Sequence, residues 1–293
     1  MTEDFEIDTA SLRRLVNFLI ENGVYGLFLL GSTSEAAFLT DAQRATVIET
    51  ALEAAKGRVP VLAGIVDMTT ARCIEHARAA QRAGVDALVL TAPFYMVPTQ
   101  DEILQHFQAV RAAVDLPIIA YDIPVFVHVK LTNDTVMRMV REGTIVGVKD
   151  SSGSEADFRR LAMARAANPS FCVFTGSELL IDHAVYSGAS GAVPGLANVD
   201  PAGFVRLYKA ARAGDFATAR REQERLFTLY SIVQAAPQSR MSRGSSAFGS
   251  FKTALMLRGI VANNVVGRPQ IRFNAEEVER VRQTLIAVGL LSA

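Results

Sequence analysis

The stretch Thr144–Gly153, TIVGVKDSSG, decides how the rest of the chain is read. Ile145, Val146, Gly147 and Val148 make an apolar run of strand length with no polar residue alternating through it. That is the pattern of a strand buried on both faces in a parallel sheet. The run stops at Lys149, and the turn-forming Asp150, Ser151, Ser152 and Gly153 follow. A strand covered on both sides needs neighbours of its own kind, and the flanking sequence supplies them. Runs starting at Tyr25 (YGLFLLGS), Val59 (VPVLAGI), Asp86 (DALVLTAPF), Leu116 (LPIIAYDIP), Phe171 (FCVFTGSE) and Gly191 (GAVPGL) bring the expected strands to seven.

Helical patterns lie between these runs. DAQRATVIETALEAAKG, Asp41–Gly57, has Thr40 or Asp41 placed to cap its start and Gly57 its end. TARCIEHARAAQRAG, Thr70–Gly84, and DEILQHFQAVRAAV, Asp101–Val114, each combine an apolar stripe with a charged face. Strand and helix alternate in units of about 25–30 residues, which predicts an α/β fold of the (β/α)8 barrel kind rather than an open sheet. No GxGxxG or GxxxxGK[ST] follows a strand, which argues against a dinucleotide or P-loop fold. From about Val205 the strands stop. The segment FVRLYKAARAGDFATARREQERLFTLYSIV reads as one or two amphipathic helices, and PQSRMSRGSSAFGS as a polar separator before two final helical segments. The expected organisation is a barrel over residues 1–204 and a helical module over 205–293.

Bulk properties narrow the function. The chain has 293 residues, half of them hydrophobic, with 30 basic and 30 acidic side chains that cancel and form no long block. That balance gives no electrostatic case for a nucleic-acid or anionic-membrane partner and favours a small neutral or anionic ligand. The start, MTEDFEID, is acidic where a secretory signal is basic, so the expected compartment is the cytoplasm. Cys73 and Cys172 show no CxxC or zinc spacing and read as reduced packing thiols. His76, His106, His128 and His183 show no ligand spacing, two of them falling on helix faces, so neither a metal nor another cofactor is expected.

Barrel chemistry sits at the C-terminal ends of strands. Of the lysines, Lys56, Lys130, Lys149, Lys209 and Lys252, only Lys149 ends a buried strand. Alternation puts it on the side of Gly147, which leaves room for a long side chain, and burial disfavours the charged form of an amine. A free amine there can attack a ketone. The residues alone equally allow a structural lysine paired with Asp150 or Glu178. Imine chemistry needs a proton shuttle, for which Tyr121 in IIAYDIP is the candidate, with Tyr95 in APFYMVP a second strand-end tyrosine. Either tyrosine is otherwise a packing residue. Ser32 and Thr33 in GSTSE offer hydroxyls and consecutive amides suited to a small carboxylate, or else an ordinary helix cap.

Together these motifs resemble the dihydrodipicolinate synthase and N-acetylneuraminate lyase superfamily of class I, pyruvate-handling aldolases. GSTSE resembles its carboxylate loop, APFYMVPTQDEILQHF its tyrosine-bearing segment, YDIP its Y-N-x-P motif and GVKDSSG its Schiff-base lysine strand. TGSE, GAVPGLANVDP and the late GRP also fit. The resemblance implies that Lys149 forms the imine, Tyr121 relays protons, and Ser32 and Thr33 hold the carboxylate of a 2-oxo acid such as pyruvate, with an aldehyde as the second product. It places Phe126, Ser151, Gly176 and Val193 in the substrate pocket. Tyr95 resembles a tyrosine that reaches into a neighbouring subunit, which implies a homotetramer built as a dimer of dimers.

The chain departs from the pattern at four places. Phe126 stands where true dihydrodipicolinate synthases carry an arginine, Ser34 replaces a loop glycine, and TGSELL and PGLAN reproduce a sialate lyase's polyol-binding end poorly. The chain also starts just after the family's first barrel strand, so the native protein is expected to begin roughly 10–20 residues earlier, one strand and a turn. The resulting expectation is a lyase that cleaves a 4-hydroxy-2-oxo acid, such as a 2-keto-3-deoxy sugar acid, to pyruvate and an aldehyde. Alternatives are a dehydratase on the same scaffold, a dihydrodipicolinate synthase (4-hydroxy-tetrahydrodipicolinate synthase), and a non-catalytic 2-oxo-acid-binding homologue.

Overall fold

A computed structural model describes residues 1–292. Every expected strand forms: β1 (Leu27–Leu29), β2 (Val61–Gly64), β3 (Ala87–Leu90), β4 (Ile118–Asp122), β5 (Gly147–Asp150), β6 (Cys172–Thr175) and β7 (Gly191–Ala192). All pair in parallel, and their order in the sheet is their order in the chain, with β1 and β7 at the two ends. A doubly wound sheet reverses its order at a switch point, so this unbroken sequence is that of a (β/α) barrel. Among the described residues the sheet has seven strands, and residues 1–8 contribute none.

The chain divides into two compact units. One comprises residues 26–31 and 60–194 and holds the whole sheet. Its helices are α3 (Thr70–Ala83), α4 (Gln100–Ala113), α5 (Pro124–Val127), α6 (Asn133–Arg141), α7 (Glu155–Ala167) and α8 (Ile181–Tyr186). The central strands are apolar on both sides, as the double layer demands. Leu88, Leu90, Ile118, Ala120, Val148 and Val173 are fully buried, and burial of each larger side chain contributes about 1.5–3 kcal/mol. One residue of the opening stretch departs from expectation. Val146 carries ladder hydrogen bonds, from its N–H to the Ile118 carbonyl and to its own carbonyl from Cys172, yet its side chain is 42% exposed. Double-sided burial therefore begins at Gly147, where β5 proper starts.

The other unit comprises residues 1–25, 32–59 and 195 onward. It contains α1 (Thr9–Glu21), α2 (Asp41–Ala55), α9 (Pro201–Arg212), α10 (Phe216–Tyr230), α11 (Arg243–Leu257) and α12 (Ala275–Ala287). Thr40 caps α2 through a reciprocal box with Gln43, and the helix ends at Lys56 just before Gly57. The long amphipathic segment is two helices, α9 and α10, separated at Gly214. The polar separator is largely wrong: Arg243 onward is α11, so most of the Gly/Ser-rich stretch is helical. Ser242 caps it, and Ser246, Gly249 and Ser250 are buried. Small side chains with poor helix propensity are tolerated because they let the helix pack closely, and tertiary packing overrides propensity.

Candidate active site

Within the sheet-bearing unit, Tyr121 on β4 and Lys149 on β5 are register partners, and Phe174 on β6 is the next in the row. Parallel neighbours in register present their side chains on one face, which is why two residues from separate motifs meet. Lys149 is 8% exposed and Tyr121 3%. The Lys149 Nζ lies 4.1 Å from the centre of the Tyr121 ring and 5.1 Å from that of Phe28 on β1. Those two rings are themselves edge to face, 6.1 Å apart. Among the described residues Lys149 makes no ion pair, so the alternative of a lysine paired to Asp150 or Glu178 is not what the structure has. Aromatic faces attract an ammonium far less than a carboxylate does, and they leave the amine free of a fixed acceptor. Phe28 was not singled out in the sequence, since an aromatic in a strand signals packing as readily as a site.

Two glycines stand where no side chain fits, one on the lysine's own strand and one beside its stem. A Cβ on Gly147 would lie 2.8 Å from the Cys172 carbonyl oxygen and 2.9 Å from its Cβ, so the glycine is required by the approach of β6. A Cβ on Gly176 would meet the Ser151 Oγ at 1.8 Å and the Lys149 Cε at 3.0 Å. The Ser151 hydroxyl and the Lys149 stem thus both occupy the space a side chain at Gly176 would need. The Ser151 N–H donates to the Asp122 carbonyl at 2.8 Å, and the Gly176 N–H to the Asp150 carbonyl at 2.7 Å. The Val193 N–H donates to the Thr175 carbonyl at 2.8 Å, which carries the ladder past the end of β7.

On the opposite face, Asp122 and Asp150 are also register partners, 2% and 4% exposed. Lys130 bridges from the loop after β4, its Nζ 2.5 Å from Asp122 and 3.1 Å from the Ser152 hydroxyl. Asp122 also accepts the Leu131 N–H at 3.1 Å. Burial pushes the Asp122 carboxyl above its usual range, Lys130 and Leu131 oppose that shift, and the Asp150 charge adds to it. Asp150 accepts the Ser152 N–H at 2.7 Å through Oδ1, while its Oδ2 is buried without a hydrogen-bond partner. The pair and its bridging cation fix the loop after β4 to the end of β5, directly behind Tyr121 and Lys149.

Ser32 and Thr33 belong to the other unit, in the turn that follows β1, where the Glu35 N–H donates to the Ser32 carbonyl at 2.9 Å. Both are half-buried. The turn is anchored by Glu35, 4% exposed, which pairs with Lys252 and accepts from the Gly267 N–H at 2.8 Å and the Gln270 side chain at 2.6 Å. The glutamate of GSTSE and the glycine of GRP are therefore one device. Ser34, the departure from glycine, does not occupy the left-handed region; Leu30 and Glu35 do, with φ of 56° and 55°. Strain of this kind persists where the surroundings hold it, and here Glu35 is held by three partners.

Tyr95 stands 82% exposed on the loop after β3, followed by exposed Met96 and Val97. Phe126 lies on α5, 40% exposed beside exposed Val125. The histidines are dispersed: His76 pairs with Asp67 at 2.9 Å, and His106 lies buried with Nδ1 2.9 Å from the Thr70 hydroxyl. His183, on α8, is a third histidine on a helix. Among the described residues no three His, Cys, Asp or Glu side chains converge to hold a metal ion, and no helix is long and apolar enough to cross a membrane.

Comparison with known proteins places the family and fold over nearly the whole chain. The dihydrodipicolinate synthetase family pattern matches residues 1–288. The chain is 33% identical over 287 residues to a 4-hydroxy-tetrahydrodipicolinate synthase of Rhodopseudomonas palustris, covering 98% of this chain and 93% of that one. Among solved structures it superposes on YagE of E. coli K12, a prophage protein of the dihydrodipicolinic acid synthase family in complex with pyruvate. That match has a TM-score of 0.92 and 27% identity, and covers 99% of this chain and 96% of the other. The chloride-inhibited dihydrodipicolinate synthase of Acinetobacter baumannii, also complexed with pyruvate, matches at 0.88 with 28% identity over 99% and 96%.

Proposed function

The chain belongs to the dihydrodipicolinate synthetase family of class I pyruvate lyases, and from that premise we propose that it cleaves a 4-hydroxy-2-oxo acid, of the 2-keto-3-deoxy sugar acid type, to pyruvate and an aldehyde. The observation that carries this is the buried, ion-pair-free Lys149 amine facing the Tyr121 ring. In this reading Ser32 and Thr33 hold the substrate carboxylate. The Lys149 amine adds to the C2 ketone to give a carbinolamine, and Tyr121 moves the protons that let water leave. The protonated imine accepts the electron pair of the C3–C4 bond as the 4-hydroxyl proton is removed, so an aldehyde departs and an enamine remains. Protonation of the enamine at C3 and addition of water to the imine release pyruvate and restore Lys149. Ser151, Gly176 and Val193 line the approach. The exposure of Tyr95 supports its role as a residue completed by another copy of the chain, in a homotetramer.

Phe126 supports this choice of substrate class. An apolar ring cannot pair with the second carboxylate that a dihydrodipicolinate synthase must grip, whereas it can pack against the carbon chain of a sugar acid. The names of the relatives favour a second reading, 4-hydroxy-tetrahydrodipicolinate synthase itself. One assay separates the two: pyruvate release from a panel of 2-keto-3-deoxy aldonates, run beside condensation of pyruvate with aspartate semialdehyde. Pyruvate release supports the aldolase, while loss of the sugar acid without pyruvate identifies a dehydratase. Efficient condensation with the semialdehyde and no sugar-acid cleavage would overturn the proposal.

A further inference from the structure

A second set of charged side chains lies in the helical unit, around a hollow of about 350 Å³ between α1, α9, α10 and the ends of α11 and α12. Three guanidinium groups line it, those of Arg206, Arg225 and Arg258, with only two carboxylates, Asp200 and Glu222. Both carboxylates are fully engaged. Glu222 takes Arg206 through both oxygens at 2.9 and 3.1 Å and Arg225 at 3.3 Å. Asp200, 4% exposed, pairs with Arg225 through one oxygen and accepts the Gly203 N–H at 3.0 Å through the other.

Arg258 is left over. Its guanidinium touches no carboxylate; it donates to the Val199 carbonyl and stacks 5.1 Å from the centre of the Phe18 ring. Burial depresses its affinity for a proton below the ordinary arginine value, with Asp200 the only charge acting the other way. A guanidinium carries five N–H donors, and Arg258 is half-buried. Here one donor is satisfied and the charge is not. The remaining walls are mostly apolar, from Phe18, Pro201 and Leu290, with the Asn22 amide the one further polar side chain among the lining residues. The volume falls at the lower end of the range for small-molecule sites.

We propose that this hollow is a binding site for a small monocarboxylate with an apolar body, gripped by Arg258. One uncompensated positive charge calls for one negative charge. The two engaged carboxylates nearby repel a dianion such as phosphate, and the apolar walls offer nothing to a simple halide. A planar carboxylate meets the guanidinium fork through two parallel hydrogen bonds, while its carbon chain covers Phe18 and Leu290. Lys149 is not among its lining residues, and its occupancy does not depend on the reaction proposed above.

The test is calorimetric titration of the full chain with sodium butanoate in chloride-free buffer at fixed ionic strength. Wild type is expected to bind in the low millimolar range or tighter, and butan-1-ol and inorganic phosphate at least about tenfold more weakly, the worth of one charge-assisted contact. Arg258→Gln should lose at least that factor, whereas Thr33→Val and Lys149→Ala should bind butanoate as wild type does. Arg258→Lys keeps the charge without the fork and should bind with intermediate affinity, which decides the matter if the glutamine variant does not fold. No binding by wild type, undiminished binding by both Arg258 variants, or loss of binding in Thr33→Val would each overturn the assignment.

Discussion

Lys130→Met removes the cation that, among the described residues, contacts the Asp122–Asp150 pair, and leaves the packing of its stem nearly intact. Asp122 is 2% exposed and would keep a single donor, the Leu131 N–H, beside a second buried carboxylate. Removing one partner of a buried ion pair costs about 3–5 kcal/mol. The Lys130 side chain is 29% exposed, so solvent already screens part of the interaction, and about 2–3 kcal/mol is the expected loss at neutral pH.

The pH dependence carries the diagnosis. The folded Asp122 carboxyl already sits above its unfolded value of 3.8, and loss of the cation raises it further. A raised folded value means a contribution fully present below 3.8 and lost as pH rises through the folded value. The variant's deficit should therefore be complete at pH 8 and shrink toward pH 4.5 as Asp122 takes up a proton and can itself donate a hydrogen bond. Urea unfolding of both proteins at matched concentration measures it, and other titrating groups cancel in the difference. In an Asp122→Asn background the same substitution should cost less than about 1 kcal/mol, since no buried charge remains to be stranded. An equal deficit at both pH values, or an unchanged deficit in the asparagine background, would refute the electrostatic account and leave Lys130 as packing.

Three further outcomes follow from the geometry. Gly176→Ala forces a Cβ into the Ser151 Oγ and against the Lys149 stem, so it should cost about 1–3 kcal/mol in urea unfolding and reduce turnover more than tenfold; a wild-type rate would show that the three groups can part freely. Tyr121→Phe should keep the melting temperature within a few degrees and lose on the order of 100-fold in turnover, measured by pyruvate release, because only the proton relay is removed. Burial holds His106 down to about 4, so its ring resonances should stay those of a neutral imidazole until well below pH 6. The corresponding stability, roughly 3 kcal/mol, is present above pH 6.5 and lost as pH falls through the folded value, and His106→Gln should flatten that part of the stability profile.

What the sequence disclosed follows from periodicity. Strand runs recur along the chain, and a lysine and a tyrosine stand at the ends of successive runs, so both strand ends were legible, while their pairing in one row is set by the register of β4 and β5, which the period of two within a strand does not fix. Glu35 was not: its partners Gly267 and Gln270 lie more than two hundred residues away, and no local pattern links a turn to a distant loop. Lys130 was hidden for a related reason. It reaches Asp122 across an irregular loop, where neither helical nor strand spacing applies. Helix α11 was missed because Gly and Ser speak against helix in isolation, and only the close packing they permit reverses that preference.

The central claim is that Lys149 is the nucleophile, and it can be tested on one sample. Protein incubated with pyruvate and reduced with borohydride, then digested and mapped by mass spectrometry, should carry a reduced adduct on the peptide containing Lys149 and none when Lys149→Ala is treated in the same way. Arginine cannot be deprotonated to form an imine, Lys130 and Lys252 are held by carboxylates, and Lys56 and Lys209 are exposed at the end of α2 and on α9, so Lys149 is the lysine expected to carry the adduct. Absence of an adduct, or an adduct on any other lysine, contradicts the account.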